Sequence, residues 1–309
     1  MNLVRYLGWR IVQGIFVVLG AVVVSFLITN LAGNPSDVIG GGLLTPAQRA
    51  QIGHQLGYDR PVLVRLGDYV TGVLHGDFGS SWRTGQSALG LVLKALPNTL
   101  ILIACAMTLA LLLAVPIALY SVLRRETRVD RSARATMMLV AALPDFWIAL
   151  LLVLLLSVNL GALPSIGFDS PRSLIMPALA IGLPLIPTSV RLLRAALLDV
   201  VSQDFITTLR AKGLGEGTIV TRYALKHAAG PFVTLLAMQV GWLLGGTIIV
   251  EVIFAWPGMG SLLQDAVTNH DIAVIQAAVV IVATGYVLLN LAGDVLIALM
   301  DPRIRVGAR

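Results

Sequence analysis

The side chains that could do chemistry in this sequence are few and scattered. Four histidines (His54, His75, His227 and His270) stand in separate segments, without the short spacings that gather ligands around a metal. Each reads as a solvated surface histidine. Cys105 is the lone cysteine, so no internal disulfide can form, and inside an apolar run it reads as a packed small side chain. Asp145, Glu251 and Asp294 are the acids near or within apolar runs, where a carboxylate normally faces the protein interior or a pathway. Asp145 follows Pro144 and reads as a local turn or water ligand, and Asp294 as a partner for a neighbouring basic residue. Glu251 fits a helix-end carboxylate and a gating group equally. None is spaced as a proton relay. There is no Gly-x-x-x-x-Gly-Lys phosphate loop and no nucleophile-elbow pattern. The reading is therefore no catalytic site, no metal site and no cofactor in this chain. ATP, if used, must be bound by another chain.

One polar, basic insert interrupts the apolar pattern, from Asp204 to His227. Ser202 can cap the start of its first helix, Asp204 suits the positive helix end, and Arg210 and Lys212 suit the negative end. Gly213 supplies a left-handed stop, and a second amphipathic stretch, 216–227, follows. A helix–glycine–helix on a membrane face has a shape that fits a groove in another protein.

The elements that must position these residues are membrane spans. Of the 309 residues 57% are hydrophobic and only 12% charged, against about 25% charged in ordinary globular chains. Charge-free runs cover 11–36, 95–123, 146–168, 173–190, 228–250 and 272–293, each long enough to be a spanning-helix candidate. Continuous runs point to helices, since barrel strands would alternate. The sequence thus predicts an all-α polytopic membrane protein with six transmembrane helices. With the N-terminus placed inside, sixteen of the 22 Lys and Arg residues fall on the inner side, which puts both termini in the cytoplasm. The net charge of +6 is this asymmetry and not a nucleic-acid footprint. The first run is too long for a signal-peptide core and reads as a retained helix.

Between the first two spans lies an external region, about 32–97. Within it Thr45-Pro46-Ala47-Gln48 reads as a cap and first helical turn, and 61–74 has helical apolar spacing. The third span is expected over about 136–160. The fourth, about 174–197, holds Pro177, Pro184 and Pro187, so a straight, fully bonded helix is not expected there. Its freed carbonyls would have to lie against protein or a pathway. Gly241 and Gly245 form a Gly-x-x-x-Gly pair, read either as internal packing or as a contact with a partner chain. One membrane domain, 1–309, accounts for the chain, with a cytoplasmic loop over about 198–230.

The insert resembles the cytoplasmic coupling loop of bacterial ABC importer permeases. Thr207-Thr208-Leu209 stands where the general motif has Glu-Ala-Ala, and Leu209-Arg210-Ala211-Lys212-Gly213-Leu214 is similar to the variant of the dipeptide, oligopeptide and nickel branch. His75-Gly76-Asp77-Phe78-Gly79, the stretch Glu251 to Gly260 (with Phe254, Trp256, Pro257 and Gly258) and Asp301-Pro302-Arg303 resemble the same branch. The whole chain is similar to the first permease of a dipeptide importer.

The resemblance implies a type I importer fold in the bacterial inner membrane. It also implies partners: a second homologous permease, two subunits that bind ATP and Mg, and an extracytoplasmic substrate-binding protein. Thr207, Arg210, Ala211, Lys212, Gly213, Leu214 and Gly215 would meet an ATPase subunit. Glu251 to Gly258 and the 75–79 motif would stand at the external mouth. Short peptides are the implied cargo, with nickel, glutathione or heme as the alternatives. A stand-alone proton-coupled carrier and an intramembrane enzyme are the readings from other classes.

Overall fold

A computed structural model of the protein describes residues 3–31, 45–55, 59–125 and 127–300. The Asp301-Pro302-Arg303 motif and residues 32–44 of the external region lie outside the described residues. Among those described, the chain is helical throughout, with a single isolated bridge between Ser80 and Ser87.

Among the described residues, five helices are long and apolar enough to cross a membrane, or six if one bent pair counts as a span. The first is α1 (Leu3–Leu31). Two short helices follow, α2 (Pro46–Gln55) and α3 (Val62–Leu74). The start of α2 is a capping box: the Gln48 amide donates to Thr45 Oγ1 at 3.3 Å, and the Thr45 amide donates back to Gln48 Oε1 at 2.9 Å. Pro61 stands at the N-cap of α3. The second span is α4 (Ala88–Leu123).

The expected third span is corrected. It is a helix pair, α5 (Arg128–Ala141) and α6 (Asp145–Leu152) with a π-helical extension over Val153–Asn159, bent by 97° at the break. Pro144 at the N-cap of α6 explains the break, because proline lacks an amide proton and forces Leu143 out of helical geometry. Thr127 caps the start of α5, accepting from the Asp130 amide.

The fourth span carries its prolines within a helix and packs them against protein. Despite its prolines, α7 (Ile175–Val201) runs as one helix with Pro184 and Pro187 inside it. Pro177 falls in the first turn, where no amide partner is required. This is the most deeply packed of the candidate spans, 67% buried where the others are 22–33% buried, which is where proline-freed carbonyls can be tolerated. Beyond it come α8 (Asp204–Ala211), a short α9 (Glu216–Thr218) and a π-helical turn over Ile219–Ala224. The π turn leads straight into α10 (Leu225–Gly246). The last helices are α11 (Ile248–Ile253), α12 (Met259–Thr268) and α13 (Ile272–Met300).

The chain divides into two compact units that interleave in sequence. One comprises Trp9–Thr99 and Pro257–Leu288. Its core gathers Val22 of α1, Phe78, Val92 of α4, Met259 of α12, and Ala277 and Val280 of α13. A buried polar bond, Gln276 Nε2 to Thr29 Oγ1 at 2.6 Å, ties α13 to α1. The other unit is centred on Leu100–Trp256, where α7 packs against α5, α6, α10 and α11. Close helix approach falls at Gly182 and Gly293. A methyl on Gly182 of α7 would stand 2.9 Å from the Ala106 carbonyl oxygen of α4, and one on Gly293 would stand 2.5 Å from Ala237 Cβ. At Gly245, by contrast, an added methyl would meet nothing within 4 Å.

Candidate functional site

The insert at 204–227 is built around one turn. Helix α8 begins with Gln203 in extended conformation (φ −81°, ψ 151°) at the N-cap. Ser202, expected to cap it, closes α7 instead, donating from Oγ to the Asp199 carbonyl at 2.7 Å. At the other end the Gly213 amide donates to the Arg210 carbonyl (2.9 Å) and the Leu214 amide to the Leu209 carbonyl (3.3 Å). These two bonds make a Schellman stop, and Gly213 takes the left-handed position at φ +82°. Gly215, extended at φ −72° and ψ 148°, then starts α9.

Across this turn Arg210 holds Glu216 with two bonds, Nε to Oε1 at 2.5 Å and a terminal guanidinium nitrogen to Oε2 at 3.2 Å. The hydrogen bond to Glu216 raises the Arg210 guanidinium above its ordinary value. Glu216 escaped the sequence reading, which offered Arg210 and Lys212 to a partner. In the structure the fork of Arg210 is occupied inside the chain, while Lys212 is exposed. Ile206 is the anchor of α8, fully buried, and the Phe205 ring lies 5.1 Å from the His227 ring at the start of α10. Thr207, Ala211, Gly213 and Gly215 are exposed, Leu214 is half-buried, and a methyl added at Gly213 or Gly215 would meet no atom within 4 Å.

The stretch after α10 repeats the same turn in the opposite setting. Ala255 donates its amide to the Val252 carbonyl (3.2 Å) and Trp256 to the Glu251 carbonyl (2.8 Å), again a Schellman pattern. Here the left-handed position is held by alanine at φ +49°. Phe254 and Trp256 are each 2% exposed. The Trp256 ring meets Phe168 edge-on at 4.7 Å, and the Gly167 amide donates to the Phe254 carbonyl at 3.0 Å. Glu251 is fully buried and accepts from Thr247 Oγ1 at 3.0 Å. Pro257 and Gly258 belong to the other unit, where Asn98 Nδ2 donates to the Pro257 carbonyl at 2.7 Å and Gly258 caps α12.

The 75–79 motif is a corner. Its Gly76 has φ +78° and Gly79 φ +81°, and Phe78 plugs the core. The Asp77 carboxylate accepts the Gly79 amide at 2.9 Å, and His75 Nδ1 bonds the Thr71 carbonyl at 2.8 Å. The loop beyond it is tied to α12 and to Asp271, just before α13. Arg83 reaches Asp265 at 2.6 Å and Ser81 Oγ donates to Asp271 at 2.5 Å.

A second buried charge cluster was also missed by sequence reasoning. Asp130, its side chain fully buried, pairs with Arg194 of α7 at 3.1 Å and Arg134 of α5 at 3.3 Å. Ser121 at the end of α4 donates to Asp130 and accepts from Arg194 Nε at 2.9 Å. The Thr127-x-x-Asp130 spacing signals the start of α5, but no local pattern signals a partner 64 residues away. Asp145 and Asp294 are each half-buried on separate helices, α6 and α13. No group of three or more His, Cys, Asp or Glu that could hold a metal occurs among the described residues.

Two inward-facing structures of the MetNI methionine ABC transporter share the fold, with TM-scores of 0.58 and 0.60 at 17% and 18% identity. The match covers 68% of this chain and 96% of theirs. Among curated relatives, the oligopeptide transport system permease AppB of Bacillus subtilis is 34% identical, over 97% of this chain and 98% of its own length. The glutathione transport system permease GsiC of Salmonella typhimurium is 36% identical, over 92% and 93%. The dipeptide transport system permease DppB of Alkalihalophilus pseudofirmus is 32% identical, over 98% and 100%. Residues 106–306 match the binding-protein-dependent transport system inner membrane components. With full-length relatives above and that match across most of its spans, the chain belongs to this family, as a multi-pass membrane subunit of an ABC importer.

Proposed function

We propose that this chain imports short peptides as one of two homologous permeases in an ATP-driven complex. The observation that carries the reading is near full-length similarity to permeases named for oligopeptides, dipeptides and glutathione, itself a tripeptide. ATP and Mg are bound by two partner subunits, and an extracytoplasmic binding protein delivers the cargo. Both termini are cytoplasmic, the 32–97 region is external, and the 198–230 loop faces the cytoplasm.

In this reading the helix–turn–helix at 204–227 seats in a groove of an ATPase subunit. Exposed Thr207, Ala211, Lys212 and Gly215 line the contact, and Gly213 shapes it. The Arg210–Glu216 fork fixes the angle between the two limbs rather than reaching the partner. ATP-driven closure of the partners displaces the insert and biases the membrane helices between two arrangements. The 251–258 stretch and the 75–79 corner stand on the external side, at the mouth where cargo is handed over.

The test is reconstitution of the purified complex in proteoliposomes with a candidate binding protein. ATP hydrolysis should rise when the binding protein carries a di- or oligopeptide. Stimulation by a nickel chelate, with none by any peptide, would overturn the cargo. Recovery of an active chain with no ATPase partner would overturn the assembly.

A further inference from the structure

Helices α5 and α7, with the end of α4, enclose a cavity of about 470 Å³. Its walls combine two chemistries. Met137 and Met138 of α5 and Leu198 of α7 supply an apolar lining, while Arg134, Arg191 and Arg194 supply three guanidiniums. Asp199 is the one carboxylate on the lining, and Asp130 lies buried behind it. Arg194 and Arg134 are held in place by Asp130, at 3.1 and 3.3 Å. Arg191 is exposed and forms no ion pair among the described residues. It lies one turn from Arg194 on the same face of α7. The cavity is open where Met138, 76% exposed, forms its rim beside Leu139, 71% exposed.

We propose that this cavity binds one anionic phospholipid from the leaflet on the arginine-rich side. The phosphate sits against Arg191, with Arg194 and Arg134 presenting preset donors. The upper part of an acyl chain lies along Met137, Met138 and Leu198, and the remainder runs out over the open rim into the bilayer. Charge selects the headgroup, because unpaired arginine at a membrane interface favours an anion. The apolar walls select a lipid over a free anion, since inorganic phosphate would leave them wet. Small-molecule sites run from about 300 to 1,000 Å³, so the cavity holds part of a lipid and not all of it. The leaflet assignment rests on the orientation proposed above; the cavity chemistry does not.

Native mass spectrometry of the full-length chain, purified with its natural partners in mild detergent, tests this. Phosphatidylglycerol should be retained in preference to phosphatidylcholine. Arg191→Gln should lower that retention about fivefold, the effect of one arginine's attraction to an anionic lipid. Met138→Trp, which fills the rim without changing charge, should lower it too. Arg172→Gln, distant in sequence and outside the lining, should not. Equal retention of the two lipids would overturn the site. So would an equal loss in the Arg191 and Arg172 variants, which would mean diffuse charge attraction. Displacement by excess inorganic phosphate would assign the site to a soluble anion instead. The same spectra report the partner subunits, so failure of the importer assembly is seen separately.

Discussion

The turn at 212–214 and the turn at 254–256 have the same hydrogen bonds and opposite supports. In the first, a glycine at φ +82° sits in open space with only an exposed ion pair beside it. Its geometry is set by the freedom of glycine itself. In the second, an alanine at φ +49° is held left-handed by its neighbours, Phe254 and Trp256, both almost fully buried. A left-handed L-residue costs roughly 1–2 kcal/mol, well below what burying a large aromatic returns. The contrast shows that one backbone device can be specified by local chemistry or by tertiary packing. Only the local version stays free to face another molecule.

Breaking the packed support should have the largest effect. Trp256→Ala removes a buried aromatic and should destabilise by about 3–5 kcal/mol, seen as a marked drop in thermal unfolding temperature of the purified complex. If Trp256→Ala unfolds at the wild-type temperature, packing does not hold that turn.

Next comes Gly213→Ala. With no atom within 4 Å to clash, the cost is backbone strain alone, about 1–2 kcal/mol. Membrane insertion should be normal while cargo-stimulated ATP hydrolysis is lost, and Gly213→Asn, which tolerates the left-handed region, should retain more of it. Full stimulation in the alanine variant would remove the glycine from the coupling argument.

The smallest effect belongs to the reverse exchange. Ala255→Gly relieves the strain but loosens the unfolded chain, so unfolding should shift by no more than about 1 kcal/mol, toward stability. A large loss there would mean that the Ala255 methyl itself packs, and the two turns would differ in kind.

The same division explains what could be read from the sequence. The Gly213 stop, the Thr45–Gln48 capping box and the Pro61 start all follow from residues within four positions of one another, and each is present in the structure. Ala255 gives no such signal, because alanine is not a left-handed residue until Trp256 and Phe168 are in place. The Asp130–Arg194 pair is invisible for the same reason. Pro144 did mark the break between α5 and α6, but continuous apolar composition concealed it, since hydropathy does not register direction. For helix α7 the prolines signalled freed carbonyls that need protein around them, and the span is the most buried of the set.

The helix from Glu216 to Gly246 runs 31 residues without a non-helical break, its π turn included. At about 1.5 Å per residue that is a rod of roughly 46 Å, while the hydrocarbon layer is about 30 Å thick. Standing along the bilayer normal, such a helix projects about 16 Å beyond the apolar layer. The turn at Gly213 is thus mounted on an outrigger of the span itself, and a tilt of that helix by ten degrees would carry its tip sideways by nearly 3 Å per 16 Å of overhang.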